Sequence, residues 1–231
     1  MHELMRQYCE ERLNREHEAL SGETLAAVYD RFGVYLSAFM REQISRINFQ
    51  REASGALVAE LGNLQAVWDW VVRHGTVEAG VDLVVSLYFL AEMLGWLHPV
   101  LQILATARPR LTVQLQPGLD AERRYIAGAM LGWLEWSSAS LYRRLGLLQQ
   151  AQSSLDNLAR LIEQGVTSAD MPQLFAQIAG LQAFYQGRWS EARRLHAALL
   201  HAVTMQPTDY TVMGSEKGPA FWAAHSHAFL A

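Results

Sequence analysis

Apolar residues recur along this chain at intervals of three and four. Leu61, Leu64, Trp68, Val71 and Val72 share one helical face, and Gly75 follows as a stop. Gly and Pro stand between long segments and rarely inside them. No segment alternates apolar and polar residues for long between hairpin dipeptides. "RLTVQLQ" (Arg110–Gln116) comes nearest, and a lone strand with no partner reads instead as a loop or a helix end. The pattern predicts an all-α chain of roughly nine or ten helices.

Three stretches repeat one design: "GWLHPVLQILATA" from Gly95, "GLLQQAQSSLDNLAR" from Gly146 and "GRWSEARRLHAALLHAV" from Gly187. Two residues after each Gly stands a large apolar residue: Leu97, Leu148, Trp189. Five residues after it stands a compact one: Val100, Ala151, Ala192. A helix is expected to end just before each Gly, which supplies a left-handed C-cap. A second helix then returns against the first, and the compact residue permits close approach. One such pair cannot bury its own apolar face, so antiparallel pairs are expected to stack, held by neighbour contacts along the stack. The Gly positions are 51 and 41 residues apart. The extra length falls in connectors expected at Arg108–Ala121, Glu163–Pro172 and Met205–Pro219. After Pro219 a new helix begins, "AFWAAHSHAFLA", and the chain stops inside it. This apolar end is expected to fray, pack back, or pair with a second copy as a homodimer.

Composition narrows the class. With 51% hydrophobic residues in 231, there is ample material for a packed core, which argues against disorder. A net charge of −4 argues against a direct grip on nucleic acid by this chain. The single cysteine, Cys9, permits no internal disulfide and fits a reducing, cytoplasmic setting. The charged stretch Glu3–Glu18 leaves no room for a signal-peptide core. The apolar segment Ala79–Ala107 is broken by Asp82, Glu92, His98 and Pro99. Its charge-free run Leu83–Ala91 is far short of the roughly 20 residues a bilayer needs, so it reads as buried core and no membrane span is expected.

Candidate chemistry is sparse. His225 and His227 are two apart, and His196 and His201 five apart, both poor spacings for chelation on a helix. Cys9 with His17 has no nucleophile-pair signature, Ser137, Ser138 and Ser140 lack a nucleophile elbow, and Glu10–Glu11 reads as solvated charge. No catalytic residue, metal site or cofactor is expected.

The repeats resemble the tetratricopeptide family, whose pattern has a small residue at position 8, Gly at 15, a large residue at 17 and Ala at 20. Gly180, Gly187, Trp189 and Ala192 match in one repeat; Ala139, Tyr142, Gly146, Leu148 and Ala151 match in another. The family's aromatic at position 24 is replaced by His196 and Leu155, and the closing Pro is out of register. The resemblance implies a right-handed superhelix whose first helices line a concave face. Trp133, Trp136, Ser140 and Arg143 would lie there from one repeat. Gln177, Leu181 and Phe184 would follow from the next, and Asp82, Val85, Phe89 and Glu92 from the earlier pair. This set is the candidate groove for a peptide or small molecule. The competing reading of its tryptophans is plain interhelix packing.

The first third resembles a second family, the STAND (NB-ARC-like) signalling ATPases. Met1, His2, Glu3, Leu4, Met5, Arg6 and Tyr8 are similar to the Met-His-Asp motif that closes their winged-helix subdomain, with Glu3 in place of Asp. "AELGNLQAVWDWVVRHG" resembles a segment of bacterial STAND transcriptional regulators through Glu60, Asn63, Leu64 and Trp70, with Val67-Trp68 where they carry Ala-Leu. The resemblance implies a terminal helix over 1–20 and a helical-repeat domain over 21–231, cut at its C-terminus, with the ATPase core upstream. His2 would contact nucleotide only in the intact parent, for this chain holds no P-loop. The implied role is a non-catalytic sensor that binds a protein partner or small-molecule inducer. A free-standing adaptor and a small-molecule receptor remain as alternatives.

Overall fold

The computed structural model describes residues 25–46, 55, 58–75 and 77–205. The described residues form helices and turns, with no strand among them. Eight helices follow in order: α1 (Leu25–Arg46), α2 (Leu61–His74), α3 (Val77–Leu94), α4 (Leu97–Val113), α5 (Ala121–Arg144), α6 (Leu148–Glu163), α7 (Met171–Tyr185) and α8 (Trp189–Met205). Met1–Tyr8 with His2, the segment after Pro219, and most of the connector from Met205 lie outside the described residues.

The three repeated glycines stand where their spacing puts them. Gly95, Gly146 and Gly187 each have φ of +73°, and α4, α6 and α8 begin at Leu97, Leu148 and Trp189. At Gly146 the caps are explicit: Leu147 N–H donates to Tyr142 C=O at 2.9 Å and Gly146 N–H to Arg143 C=O at 3.0 Å. Arg188 and Gly187 repeat the pattern onto Ala183 and Phe184, at 2.8 and 3.0 Å. These paired bonds satisfy carbonyls that a helix end otherwise leaves open, and they need one residue at positive φ. The compact residues are buried as expected: Val100, Ala151 and Ala192 are at most 4% exposed.

One connector differs from expectation. Arg108–Ala121 reads as an irregular link, yet α4 runs through Pro109 to Val113 before turns take over. Pro109 and Ala105, whose carbonyl loses its helical donor, are both exposed, so the lost bond lies on the solvent side of the helix. Leu111 is fully buried, and Arg108 and Arg110 bond Glu135 and Asp69 on neighbouring helices. Tertiary contacts on both sides of the proline hold the last turn in place. Pro99 stands in the first turn of α4, where no intrahelical acceptor is lost.

Each helix packs on the next in order. In addition, α1 packs on α3, α2 on α4, α3 on α5, and α5 on α7. Buried apolar residues form one continuous cluster from Leu36 on α1 to Leu181 on α7. Every residue of α5 from Ala127 to Leu141 is buried. Small residues make that possible: a Cβ on Gly128 would lie 2.3 Å from the Val166 carbonyl oxygen, and one on Gly80 2.5 Å from Met130 Cε. Trp68, 1% exposed, donates its indole N–H to Ile103 C=O at 3.1 Å and ties α2 to α4.

The segment resembling the STAND regulators has a structural role of its own. Asn63 Nδ2 donates to Glu60 Oε2 at 2.6 Å at the start of α2, and Leu64 is core. Trp70 donates to Asp30 Oδ1 at 2.8 Å and stacks on Tyr29 at 4.9 Å, which clamps α2 to α1.

Candidate functional site

Helices α3, α5 and α7 run side by side in parallel register. Gly80 faces Met130, Tyr88 faces Trp136 with ring centroids 5.0 Å apart, and Glu92 pairs with Arg144. Likewise Gly132 faces Met171, and the Arg143 guanidinium lies 5.2 Å over the Tyr185 ring. The same register sets Gln177 of α7 at the level of Trp136. Of the residues that the resemblance assigns to one face, Trp136 meets α3 through Tyr88, Trp133 packs on Trp136, and Arg143 meets α7 through Tyr185.

The row is packed rather than open. Trp133, Trp136, Ser140, Gln177 and Leu181 are all under 10% exposed, Phe89 and Arg143 are half-buried, and Phe184 is 37% exposed. Four rings run in a chain, Phe89–Tyr88–Trp136–Trp133, with centroids 5.0 to 5.7 Å apart. Ser140 donates its hydroxyl to the Trp136 carbonyl at 3.0 Å inside its own helix and is fully buried, so its one donor is already used. Tyr88 donates to Glu92 Oε1 at 2.6 Å. Burial pushes the Tyr88 phenol well above its ordinary value, and the Glu92 carboxylate adds to that by charge and hydrogen bond.

Two features at this row go beyond packing. Trp136 Nε1, Arg143 Nε and Gln177 Oε1 are buried with no hydrogen-bond partner, as are Ser137 Oγ and Gln173 Oε1 beside them. Each such atom costs about 1–3 kcal/mol unless something reaches it. At the end of the row an aromatic cluster reaches the surface. Tyr185 is 58% and Trp189 61% exposed, with Phe184 at 4.8 Å from Trp189 and 5.8 Å from Tyr185. Spacing alone puts Trp189 in the interhelix packing; it starts α8 and projects into solvent, while Ala192, one turn on, takes the buried position.

A second site was not visible from the repeats. A cleft of about 350 Å³ opens between α4 and α6, floored by α5. At its floor lies Glu135, 1% exposed. Arg108 of α4 grips its carboxylate with both arms, Nε to Oε1 at 2.7 Å and Nη2 to Oε2 at 2.9 Å. Asn157 of α6 donates to Oε1 at 3.2 Å and accepts from Arg160. One signal could have found this: Glu135 is the only charge between Ile126 and Tyr142. A lone carboxylate in an apolar helix needs a partner.

No group of three or more His, Cys, Asp or Glu among the described residues could hold a metal ion, and no described helix is long and apolar enough to cross a membrane. No family model, curated protein or solved structure matches the chain.

Proposed function

We propose that this chain is a non-catalytic interaction and sensor region of a STAND-type regulator, built as a tetratricopeptide-like right-handed stack. Its ligand is a protein partner or inducer, and the α5–α7 row with the turn into α8 is the receiving surface. The observation that carries this reading is the exposed cluster Phe184, Tyr185 and Trp189 with Arg143 beside it. Trp, Tyr and Arg are the residues that most often dominate binding energy at protein interfaces. Three neighbouring aromatic rings exposed together, rather than one alone, form the kind of apolar surface patch that marks an interaction site. The unpartnered atoms of Trp136, Arg143 and Gln177 lie beneath the same surface, ready to bond if the row opens. A ligand that favours one arrangement of α5 against α7 would pass a preference upstream through differential affinity for two states.

The reading frame upstream of Met1 tests the regulator role. A P-loop in frame supports it; a stop codon with a ribosome site replaces it with a free-standing adaptor. The surface is tested by Trp189→Ala and Tyr185→Ala in the full regulator. Both are expected to leave the melting temperature unchanged and to abolish inducer-dependent ATP turnover. Wild-type response from both variants rejects this surface.

A further inference from the structure

We propose that the α4–α6 cleft binds an aliphatic α-amino acid through its carboxylate and neighbouring N–H, either free or as the last residue of a peptide. The inference concerns a site separate from the α5–α7 row and stands whether or not the regulator role does.

The chemistry of the lining selects the ligand. Arg160 sits at the cleft edge and is exposed, and its guanidinium makes one hydrogen bond among the described residues, to Asn157 Oδ1. A guanidinium has five N–H donors in a planar fork that suits a carboxylate. Arg108 and Glu135 neutralise each other across the floor, so Arg160 leaves the cleft with a net positive charge. That charge calls for an anion.

Glu135 adds a second demand. A carboxylate offers about four lone-pair positions. Arg108 fills two and Asn157 one, which leaves one on Oε2. Any ligand reaching the floor meets an acceptor and needs an N–H to answer it. A dicarboxylate would be repelled there, and a simple amine would gain nothing from Arg160. The rest of the lining includes Leu131 and Leu161, each 5% exposed, and Leu115, half-buried at the α4 end. They form an apolar wall for an aliphatic side chain. A carboxylate, an N–H on the adjoining carbon and a branched apolar group are the parts of a leucine-like residue. The volume of about 350 Å³ is at the low end of small-ligand pockets and accommodates one such residue.

The test is calorimetric titration of the intact chain with L-leucine, N-acetyl-L-leucine and L-leucinamide. Leucinamide lacks the carboxylate; the acetyl compound stands in for a peptide end. Saturable binding of leucine or of its acetyl derivative is expected, with leucinamide at least about tenfold weaker. Tighter binding of leucine identifies the free amino acid as the source, and tighter binding of the acetyl compound identifies a peptide end. Arg160→Gln is expected to weaken binding by about tenfold to a hundredfold while leaving the melting temperature unchanged. The proposal is overturned if none of the three binds. It is equally overturned if leucinamide binds as well as leucine, or if Arg160→Gln binds like the wild type.

Discussion

Gly180 of α7 and His196 of α8 meet edge to backbone: a Cβ on Gly180 would lie 2.8 Å from His196 Nε2 and 3.0 Å from its Cδ2. His196 is fully buried. The absent side chain is what lets the two helices close on the imidazole. In the tetratricopeptide pattern these are the small position 8 and the large position 24, and the contact gives a physical reason for pairing them. In a helix interior, Ala is normally better than Gly by about 0.5–1 kcal/mol. Here overpacking against a buried ring, worth about 1–3 kcal/mol, outweighs that gain. Gly180→Ala is therefore expected to lower stability by roughly 1–2 kcal/mol. In a double-mutant cycle with His196→Ala the two losses should fall short of additive by at least about 0.5 kcal/mol. Urea midpoints of the four proteins measure this; full additivity would mean the contact is absent.

Gly187 and Gly62 separate conformation from space. A Cβ added at either would meet no atom within 4 Å, but Gly187 has φ of +73° and Gly62 lies in α2. Gly187→Val is expected to cost on the order of 1–2 kcal/mol or more. Gly62→Ala is expected to be neutral or to stabilise by up to about 1 kcal/mol. Chemical denaturation of both variants checks the pair, and equal midpoints would contradict the left-handed turn.

Glu135→Ala should be clearly destabilising. It strands the Arg108 guanidinium and the Asn157 amide, which now meet one buried carboxylate. Breaking a buried pair costs about 3–5 kcal/mol. Arg108 is 31% exposed, so water recovers part of this, and a loss of about 2–3 kcal/mol is expected. The double change Arg108→Met with Glu135→Met removes both charges and should be clearly milder than Glu135→Ala. Thermal unfolding of the three proteins decides the order.

Tyr88 predicts an alkaline limit. Its phenol is held above the ordinary value of 10.0 by burial and by Glu92. Above about pH 10 the unfolded chain therefore releases this proton while the folded chain keeps it. The unfolded state then binds fewer protons, so stability falls as pH rises past that point; below it the contribution is intact. Tyr88→Phe should flatten this fall above about pH 10 and leave the profile near neutrality unchanged in shape. An equally steep alkaline decline in the variant would assign the effect to other groups.

Much of the fold is legible in local chemistry. The all-helical class follows from apolar spacing, and the turns at Gly95, Gly146 and Gly187 follow from a backbone conformation only glycine adopts cheaply. Starts at Leu97, Leu148 and Trp189, and burial at Val100, Ala151 and Ala192, come with those turns because both are set within one helical turn of the glycine. What each helix touches is another matter. The same helical spacing buries Trp133 and Trp136 yet exposes Trp189, since exposure depends on which helices flank a position. The α4 helix continues through Pro109 because Leu111 finds core and Arg108 finds Glu135, a residue distant in sequence. The cleft exists only where α4, α5 and α6 converge. Period and turn chemistry are properties of neighbouring residues and can be read along the chain; a buried ion pair or a cleft is a property of distant segments brought together, and packing alone decides where those meet.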